Sequence, residues 1–319
     1  MPNFWKLNDK IIVLKSNHLH ISLVKKPTLK LACIPAYNEE SSIQDMVKKS
    51  LLYVDKVIVC NDGSTDNTAK LAKEAGAIVI THDKNQGYGA AISTLFDYAR
   101  KQNAQIMITI DGDGQHNPDQ IPLLINAITT HNIDVVIGSR FLDDNTKASG
   151  YRKTGIKIIT SASNYGTNFK VTDSQSGFRA YSKDAIDAIH PTEQGMSVST
   201  EILLKISNKG LSLAEVPITI SYDGDTSEQN SVPHGISVLM NTLKYVSIKH
   251  PIQFYGIPGL ALIIAGIVLG GLFLDAYLNQ QTVFYGSLLG SVVLFLLGAI
   301  LSVTAIILFS MANLIRDRY

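Results

Sequence analysis

Two aspartates separated by a single glycine are the side chains of this sequence best suited to chemistry. Asp111 and Asp113 follow an apolar run at 105–110, and Gly112 and Gly114 flank the second of them. Residues i and i+2 of an extended chain point to the same side, and hard cations such as Mg²⁺ and Mn²⁺ prefer carboxylate oxygens. The spacing therefore predicts a divalent-metal site that leaves coordination positions for the oxygens of a diphosphate.

The same acidic loop has two other interpretations. An EF-hand calcium loop starting at Asp111 requires glycine at its sixth position and glutamate at its twelfth, but these positions hold His116 and Pro122. A purely structural Asx turn remains open for a single loop of this kind. Comparable polar loops elsewhere in the chain favour a binding site.

The elements that must position these carboxylates alternate in type along the chain. Helical patterns near 41–52, 66–75 and 90–101 lie between apolar runs of strand length at 29–34, 56–60, 77–80, 105–110 and 134–137. This order predicts an α/β fold, with a mostly parallel sheet and helices on both faces. Ligands of such sheets bind beyond the carboxyl ends of the strands. Four polar loops should converge there: 35–40, 61–66, 111–116 and 138–141.

A glycine pattern at 85–92 matches a dinucleotide-binding fingerprint only in part. Its third glycine position is occupied by Ile92, and the pattern follows the third predicted strand. A single imperfect match is weak support for nucleotide binding. We therefore predict a tight turn that opens a helix.

Composition narrows the class of protein. The 319 residues are 45% hydrophobic and 17% charged, with 28 Lys and Arg against 27 Asp and Glu. These values argue against a disordered chain and against a dedicated nucleic-acid binder, which carries a basic surplus. The length allows about two domains. Cys33 and Cys60 are too few for a disulfide framework and lie in apolar runs, so we predict buried thiols.

The C-terminal part of the chain has the composition of a membrane segment. From Ala276 to Ile315 there is no Asp, Glu, Lys or Arg. Two apolar stretches, about 257–278 and 283–314, are each long enough to cross a bilayer as a helix. Only the short polar link 279–282 joins them. The pattern predicts a hairpin of two transmembrane helices with both ends on one side.

Basic residues predict the orientation of this hairpin. Lys244 and Lys249 precede it, Arg316 and Arg318 follow it, and the link between the helices has none. Because basic residues concentrate on the cytoplasmic side, we expect both termini and the large domain to be cytosolic. The first residues lack the apolar core of a signal peptide. Residues 233–255 are expected either to lie on the membrane surface as an amphipathic helix or to pack on the soluble domain.

Five motifs together resemble family 2 glycosyltransferases of the Rossmann-like GT-A fold. Within that family the chain looks like the branch of dolichol-phosphate mannose synthases and polyprenyl-phosphate glycosyltransferases. The resemblance covers residues 29–220. The five motifs occurring together in this order are more specific to the family than any one of them alone. The motifs are Pro35–Glu39, Asn61–Asp66, Asp111–His116, Gly138–Arg140 and Asp173–Phe178.

The resemblance implies roles for individual residues. Those implied to bind the nucleotide are Pro35, Tyr37, Glu39, Cys60, Asp62 and Asp111. Those implied to hold Mg²⁺ or Mn²⁺ and the diphosphate are Asp111, Asp113 and Gln115. Lipid-phosphate binding is implied for Arg140 and Arg152, and the acceptor loop contains Asp173, Gln175, Ser176 and Gly177. Asp113 and Arg140 would be the catalytic pair.

The implied reaction transfers a monosaccharide from a nucleotide-diphosphate sugar to a polyprenyl (dolichyl) phosphate, with inversion, at the cytosolic membrane face. A divalent ion would neutralise the charge that develops on the departing diphosphate. The acceptor phosphate has a second pKa near ~6 and is already anionic at neutral pH, so it needs positioning by arginine more than a strong base. Membrane lipid and both substrates are the expected partners, and no nucleic acid is expected.

The expected domains are an N-terminal extension 1–28, a catalytic domain 29–232, a juxtamembrane segment 233–255 and the hairpin 256–315.

Two departures from the family pattern bear on the substrates. Ile156 stands where a serine often follows the second arginine, and segment 222–230 has no basic residue where mannose synthases have a basic stretch. The second departure weakens the case for GDP-mannose and leaves UDP-hexoses as donors. A processive polysaccharide synthase needs a Gln-x-x-Arg-Trp motif. The only tryptophan of this sequence is Trp5, so the motif is absent and this function is disfavoured. Transfer to another lipid or to a glycan stays open, as does a non-catalytic nucleotide-sugar-binding protein, although the intact 111–115 motif argues against the latter.

Overall fold

The computed structural model describes two compact units, Met1–Leu239 and Met240–Tyr319. Within them the described residues are 12–14, 29–142, 150–167, 169–220, 240, 243–244, 246–248, 250–280 and 285–316. Most of the predicted juxtamembrane segment 233–255 lies outside these ranges, so its amphipathic character stays a prediction. The proposed domain boundaries also stay predictions.

The first unit is built on one sheet of eight strands. The described strands are β1 Ile12–Leu14, β2 Lys30–Ala36, β3 Lys56–Asn61, β4 Ile78–Thr81, β5 Ile106–Thr109, β6 Val135–Ser139, β7 Arg179–Ser182 and β8 Leu213–Pro217. Their order across the sheet is β1-β8-β6-β7-β5-β2-β3-β4. The neighbours β2–β3, β3–β4, β2–β5 and β6–β8 are parallel, whereas β7 runs antiparallel between β5 and β6, and β1 runs antiparallel to β8.

This sheet confirms the predicted α/β class and adds three strands that the apolar runs did not predict. The five expected runs correspond to β2, β3, β4, β5 and β6. Strands β7 and β8 come from later in the chain, and β1 comes from the segment expected to lie outside the domain. Strand β1 pairs with β8 through Ile12–Glu215 and Leu14–Leu213, so part of residues 1–28 belongs to this sheet.

Helices cover both faces of the sheet, as expected. The helices among the described residues of this unit are α1 Ile43–Ser50, α2 Thr68–Glu74, α3 Tyr88–Lys101, α4 Ile121–His131, α5 Gly150–Gly166, α6 Lys183–Ala188 and α7 Val198–Asn208. One core layer contains buried residues of α1, α2 and α4, and the other contains buried residues of α3, α6 and α7. A short 3₁₀ helix, Pro118–Gln120, precedes α4.

Strand β2 shows why the central strands read as unbroken apolar runs. Successive side chains of a strand point to opposite faces, and both faces of this sheet are covered. Ala32 and Ile34 therefore join one core layer, while Leu31 and Cys33 join the other. Cys33 and Cys60 are both buried and free, which confirms the prediction of buried thiols.

The described residues of the second unit include two apolar helices that are long enough to cross a membrane. A π-helical turn, Ile252–Gly256, leads into α8, Ile257–Gln280, and α9 spans Tyr285–Arg316. The helix bounds lie within two residues of the predicted spans. These helices are a candidate membrane hairpin.

Small residues allow the two helices to pack with their backbones in close approach. A Cβ atom added to Gly298 would lie 2.5 Å from the carbonyl oxygen of Gly259, and one added to Gly266 would lie 2.9 Å from the carbonyl oxygen of Ser291. Such spacing is typical of transmembrane helix pairs, where packing replaces the hydrophobic effect. By contrast, a Cβ atom at Gly271 would meet nothing within 4 Å.

We expect a disulfide bond to form between cysteines introduced at Gly270 and Ser291. A Cβ atom built at Gly270 lies 3.6 Å from the Cβ of Ser291, which is within the range of disulfide geometry. The double variant G270C/S291C should cross-link within one chain on mild oxidation, as measured by mass spectrometry after thiol alkylation. The matched pair G271C/S291C should remain reduced, and equal cross-linking of both pairs would contradict the helix packing.

Candidate active site

The polar loops that follow the strands meet at one edge of the sheet, as the sequence predicts. The loop after β2 is tied to the loop after β3, because Asn38 N donates to Ser64 Oγ at 3.0 Å and Thr65 N donates to Asn38 Oδ1 at 2.9 Å. The same loop reaches the loop after β5, where Ser42 Oγ donates to Gly112 O at 2.6 Å. Three loops thus form one hydrogen-bonded platform.

The first loop presents one aromatic ring and one carboxylate. Pro35 is buried at the end of β2, whereas Tyr37 is 45% exposed and its ring is accessible at the sheet edge. The backbone N–H of Glu39 donates to Thr68 Oγ1 at 2.7 Å, which fixes the start of α1. The side chains of the exposed Tyr37 and the half-buried Glu39 are therefore both accessible to a ligand at this edge.

The carboxylate of Asp111 is held from three sides. Its Oδ1 accepts a hydrogen bond from Tyr88 Oη at 2.9 Å, and its Oδ2 lies 3.5 Å from His116 Nε2. Gly177 faces it, and a Cβ atom added there would lie 2.4 Å from Oδ2. Sequence reasoning missed Tyr88 and His116 as partners. Their signals were present, since Tyr88 stands in the glycine turn that opens α3 and His116 ends the acidic motif.

The second aspartate of the pair faces outward. Asp113 is exposed, and its Oδ1 accepts a hydrogen bond from the backbone N–H of Gln115 at 3.0 Å. This bond closes a tight turn around Gly114, whose φ is +75°, a conformation that favours glycine. The turn presents Asp113 and the half-buried Gln115 at the same edge as Asp111.

Three carboxylates near this edge disturb one another's ionisation. Burial raises the pKa of Glu39 to about 7, and the negative charges of Asp113 and Asp111 add to the rise. The pKa of Asp113 is also raised, because its carboxylate is partly withdrawn from water although the residue as a whole is exposed, and because the charge of Asp111 lies nearby. The pKa of Asp111 is lowered, because His116, Tyr88 and Arg140 together outweigh the effect of its burial.

This donor set fits a divalent cation. Mutual repulsion of nearby carboxylates disfavours their charged forms, and a cation between them removes that repulsion. Among the described residues, no three His, Cys, Asp or Glu side chains already surround a common point as a metal cage would. Two aspartates with diphosphate oxygens completing the shell match the way Mg²⁺ is commonly held.

The side chains of Asp62 and Cys60 are buried inside the protein, whereas the family resemblance implies that they contact the nucleotide. Asp62 is buried, and its carboxylate accepts hydrogen bonds from Gln86 N at 2.9 Å, Gly87 N at 2.8 Å and His82 Nδ1 at 2.7 Å. Cys60 is fully buried, and burial, followed by the charge of Asp62, raises the pKa of its thiol to about 12. The carboxylate therefore holds the segment before α3, and the Cys60 side chain has no access to a ligand.

Arg140 lies beside the acids but is paired within the protein. Its Nε and Nη2 donate to the two oxygens of Asp173 at 2.6 and 2.8 Å, and Asp173 is fully buried. The guanidinium also lies 5.7 Å from the ring of Phe141. A bidentate pair of this kind fixes the plane of the guanidinium. Arg152 lies in the first turn of α5, but its side chain is outside the described residues, so its phosphate-binding role stays a prediction.

A buried glutamate that sequence reasoning missed orders the start of the predicted acceptor loop. Glu215 is fully buried in β8 and accepts hydrogen bonds from Thr172 N at 2.8 Å and Asp173 N at 3.1 Å. These bonds place Asp173 for its pairing with Arg140. The available signal was a single charged residue in an apolar strand.

A buried arginine orders the rest of that loop. Arg179 donates to Ser176 O at 2.8 Å and to Ser174 O at 2.7 Å, and Thr109 Oγ1 donates to Gly177 O at 2.8 Å. Ser176 and Gly177 are buried, while Gln175 is half-buried. The loop is therefore a rigid wall of the site, which brings Gly177 against Asp111.

Comparisons with known proteins agree with this geometry. The family model described as Glycosyl transferase family 2 matches residues 32–189. A protein of uncharacterized function from Methanocaldococcus jannaschii is 32% identical over 244 residues, which cover 72% of this chain and 97% of that protein. The UDP-N-acetylglucosamine–dolichyl-phosphate N-acetylglucosaminyltransferase of Methanococcus voltae is 34% identical over 216 residues, 59% of this chain and 84% of that enzyme.

A solved structure shares the fold. Glucosyl-3-phosphoglycerate synthase from Mycobacterium tuberculosis, crystallised with Mn²⁺, uridine diphosphate and glucosyl-3-phosphoglycerate, aligns with a TM-score of 0.56 at 21% sequence identity. The alignment covers 69% of this chain and 81% of that one. At 21% identity, this similarity supports a shared fold and nothing further. The family match, the related sequences and the arrangement of the sheet together show that the chain belongs to glycosyl transferase family 2 and is a glycosyltransferase of the GT-A fold.

Proposed function

We propose that this glycosyltransferase moves a monosaccharide from a nucleotide-diphosphate sugar to a polyprenyl phosphate, with inversion and with a divalent cation. The observation that carries the proposal is the carboxylate cluster at the sheet edge, with Arg140 close enough to lower the pKa of Asp111. The Methanococcus voltae relative is, by its name, a transferase of this type.

The platform formed by the first two loops is the proposed donor site. Tyr37 offers an accessible ring beside the acids, and aromatic faces commonly stack on nucleobases. The donor is a UDP-hexose or GDP-mannose. The donor named for the Methanococcus voltae relative is a UDP-sugar, and segment 222–230 has no basic residue; both favour UDP.

Asp111, Asp113 and the amide of Gln115 are the proposed holders of Mg²⁺ or Mn²⁺. The cation supplies positive charge to the departing nucleotide diphosphate. Asp111 contributes a carboxylate already fixed by Tyr88, while Asp113 is exposed and able to meet the donor. Glu39 lies close enough for its pKa to respond to both aspartates, so a cation bound between the aspartates would favour the ionised form of Glu39.

Arg140 is the proposed holder of the acceptor phosphate. Its bidentate bond to Asp173 orients the guanidinium next to the acidic cluster. A phosphate monoester is already largely anionic at neutral pH, so the attacking oxygen requires alignment and no strong general base. The buried, paired Asp173 is consistent with this, because its carboxylate is occupied by Arg140 and by Gln175 N.

The apolar hairpin gives a reason for a lipid acceptor. A prenyl chain stays in hydrocarbon while its phosphate reaches the interface, and an enzyme anchored in the same membrane meets it in two dimensions. The basic residues on either side of the hairpin favour a catalytic unit on the cytosolic face.

The experiment that tests this function is a substrate panel with the full chain in liposomes containing polyprenyl phosphate. Labelled UDP-glucose, UDP-N-acetylglucosamine and GDP-mannose are supplied in turn with Mg²⁺ or Mn²⁺. We expect one donor to give a chloroform-soluble labelled product. The variant Asp113→Asn should reduce the rate by about 100-fold or more, while Asp187→Asn, on the exposed surface of α6, should match the unaltered chain. No lipid product with any donor would contradict the proposal.

Arg140→Lys should lower the kcat/KM for polyprenyl phosphate by about 10-fold to 100-fold. A lysine ammonium cannot reproduce the two parallel bonds to Asp173, so neither its position nor its geometry toward phosphate is kept. The effect should fall on the acceptor, leaving the dissociation constant for the donor nucleotide within about 2-fold by calorimetry. An unchanged acceptor response, in a variant with an unchanged unfolding midpoint, would remove Arg140 from the acceptor site.

A further inference from the structure

The hydroxyl of Tyr88 is the shortest contact described for the Asp111 carboxylate. It donates to Oδ1 at 2.9 Å, while His116 lies farther from Oδ2, at 3.5 Å. A hydroxyl donates and a carboxylate oxygen accepts, so this hydrogen bond restrains the rotation of the Asp111 carboxylate.

The segment before Tyr88 is locked by the buried Asp62. Its carboxylate binds the backbone N–H groups of Gln86 and Gly87, and His82 Nδ1 donates to the same carboxylate. The other ring nitrogen of His82 lies 2.9 Å from Thr94 Oγ1 on α3. Gly87 has a φ of +98°, which a residue with a side chain rarely adopts. The polypeptide thus enters α3 in one fixed direction.

The segment after Tyr88 is locked from the opposite side. Gly89 N donates to Gln194 O at 2.7 Å, and a Cβ atom added to Gly89 would lie 2.1 Å from Glu193 O. That neighbouring segment is itself fixed, because Glu201 accepts hydrogen bonds from Thr192 N at 3.0 Å and Glu193 N at 2.9 Å. Tyr88 is therefore clamped between two ordered segments that do not belong to the acidic motif.

We propose that Tyr88 is a positioning residue that holds Asp111 in the orientation required by the divalent cation, and that the clamps on either side of it exist to keep its hydroxyl in place. Partners of metal-binding carboxylates commonly orient them and tune their affinity. With Oδ1 engaged by Tyr88, the carboxylate cannot rotate without breaking that hydrogen bond. The inference rests on the proposed metal site, and it extends that site to a residue 23 positions earlier in the chain.

If Tyr88 had only a structural role, the expected effect of removing its hydroxyl on metal affinity would be different. If the ring only fills space at the start of α3, removing its hydroxyl oxygen should leave metal affinity unchanged. Tyr98 offers a matched control on the same helix, since it packs against the same core layer as Tyr88 and no described hydrogen bond uses its hydroxyl. The variants Tyr88→Phe and Tyr98→Phe remove the same atom from the same helix.

The test measures Mn²⁺ binding to the full chain in detergent micelles, by electron paramagnetic resonance of free Mn²⁺. Titrations use Mn²⁺ alone and Mn²⁺ with UDP. We expect Tyr88→Phe to raise the dissociation constant by about 10-fold or more and Tyr98→Phe to leave it unchanged, with both variants unfolding at the temperature of the unaltered chain. The Mn²⁺ concentration for half-maximal sugar transfer should rise by the same factor in Tyr88→Phe, with kcat largely restored at saturating Mn²⁺.

Equal Mn²⁺ affinity in Tyr88→Phe and the unaltered chain would overturn the inference. So would a loss of transfer in Tyr88→Phe that saturating Mn²⁺ does not restore. The outcomes separate this inference from the proposed function. If the chain transfers sugar to polyprenyl phosphate and Tyr88→Phe leaves the affinity for Mn²⁺ unchanged, the proposed function is supported and the inference is overturned. If Tyr88→Phe weakens Mn²⁺ binding but the unaltered chain makes no lipid product, the inference is supported and polyprenyl phosphate is contradicted as the acceptor.

Discussion

Repulsion among carboxylates in the loops after β2 and β5 is the physical constraint on which this site depends. Asp111, Asp113 and Glu39 are close enough for each of the latter two to have its pKa raised by a neighbour's charge. Negative charges that are partly removed from water are costly unless a positive group compensates them. Arg140 supplies some of that charge but is itself paired with Asp173. The arrangement is therefore suited to a divalent cation and to the diphosphate that such a cation brings with it.

The acids of this domain fall into two groups with different tasks. Asp62, Asp173 and Glu215 are buried, and backbone N–H groups occupy their carboxylates, so they hold loops in place. Asp111 and Asp113 reach the sheet edge, where a ligand can approach. The first group provides the rigidity and the second provides the charge. Preorganisation of this kind allows electrostatic catalysis without the cost of reorienting groups during the reaction.

Local sequence patterns predicted that Asp111 and Asp113 lie at the end of a strand. The surroundings of these aspartates depend on contacts between segments that are distant in sequence, which local patterns do not reveal. The apolar runs placed Asp111 and Asp113 at a strand end, and the parallel order of β2, β3 and β5 brings their loops together. No local pattern indicated that β7 inserts antiparallel between β5 and β6, which sets Gly177 against Asp111. The sequence of the Asp62 loop resembles that of a ligand-facing acid, yet its carboxylate is turned to segment 82–87, a contact that only the folded chain defines.

Sugar transfer by the full chain after removal of divalent metal tests the central claim most directly. The chain is treated with a chelator, freed of it, and assayed with the donor and polyprenyl phosphate before and after Mg²⁺ or Mn²⁺ is returned. The account predicts a rate at least about 100-fold lower without metal, recovered on its return, with the chain folded throughout. An undiminished rate in the metal-free chain would contradict it.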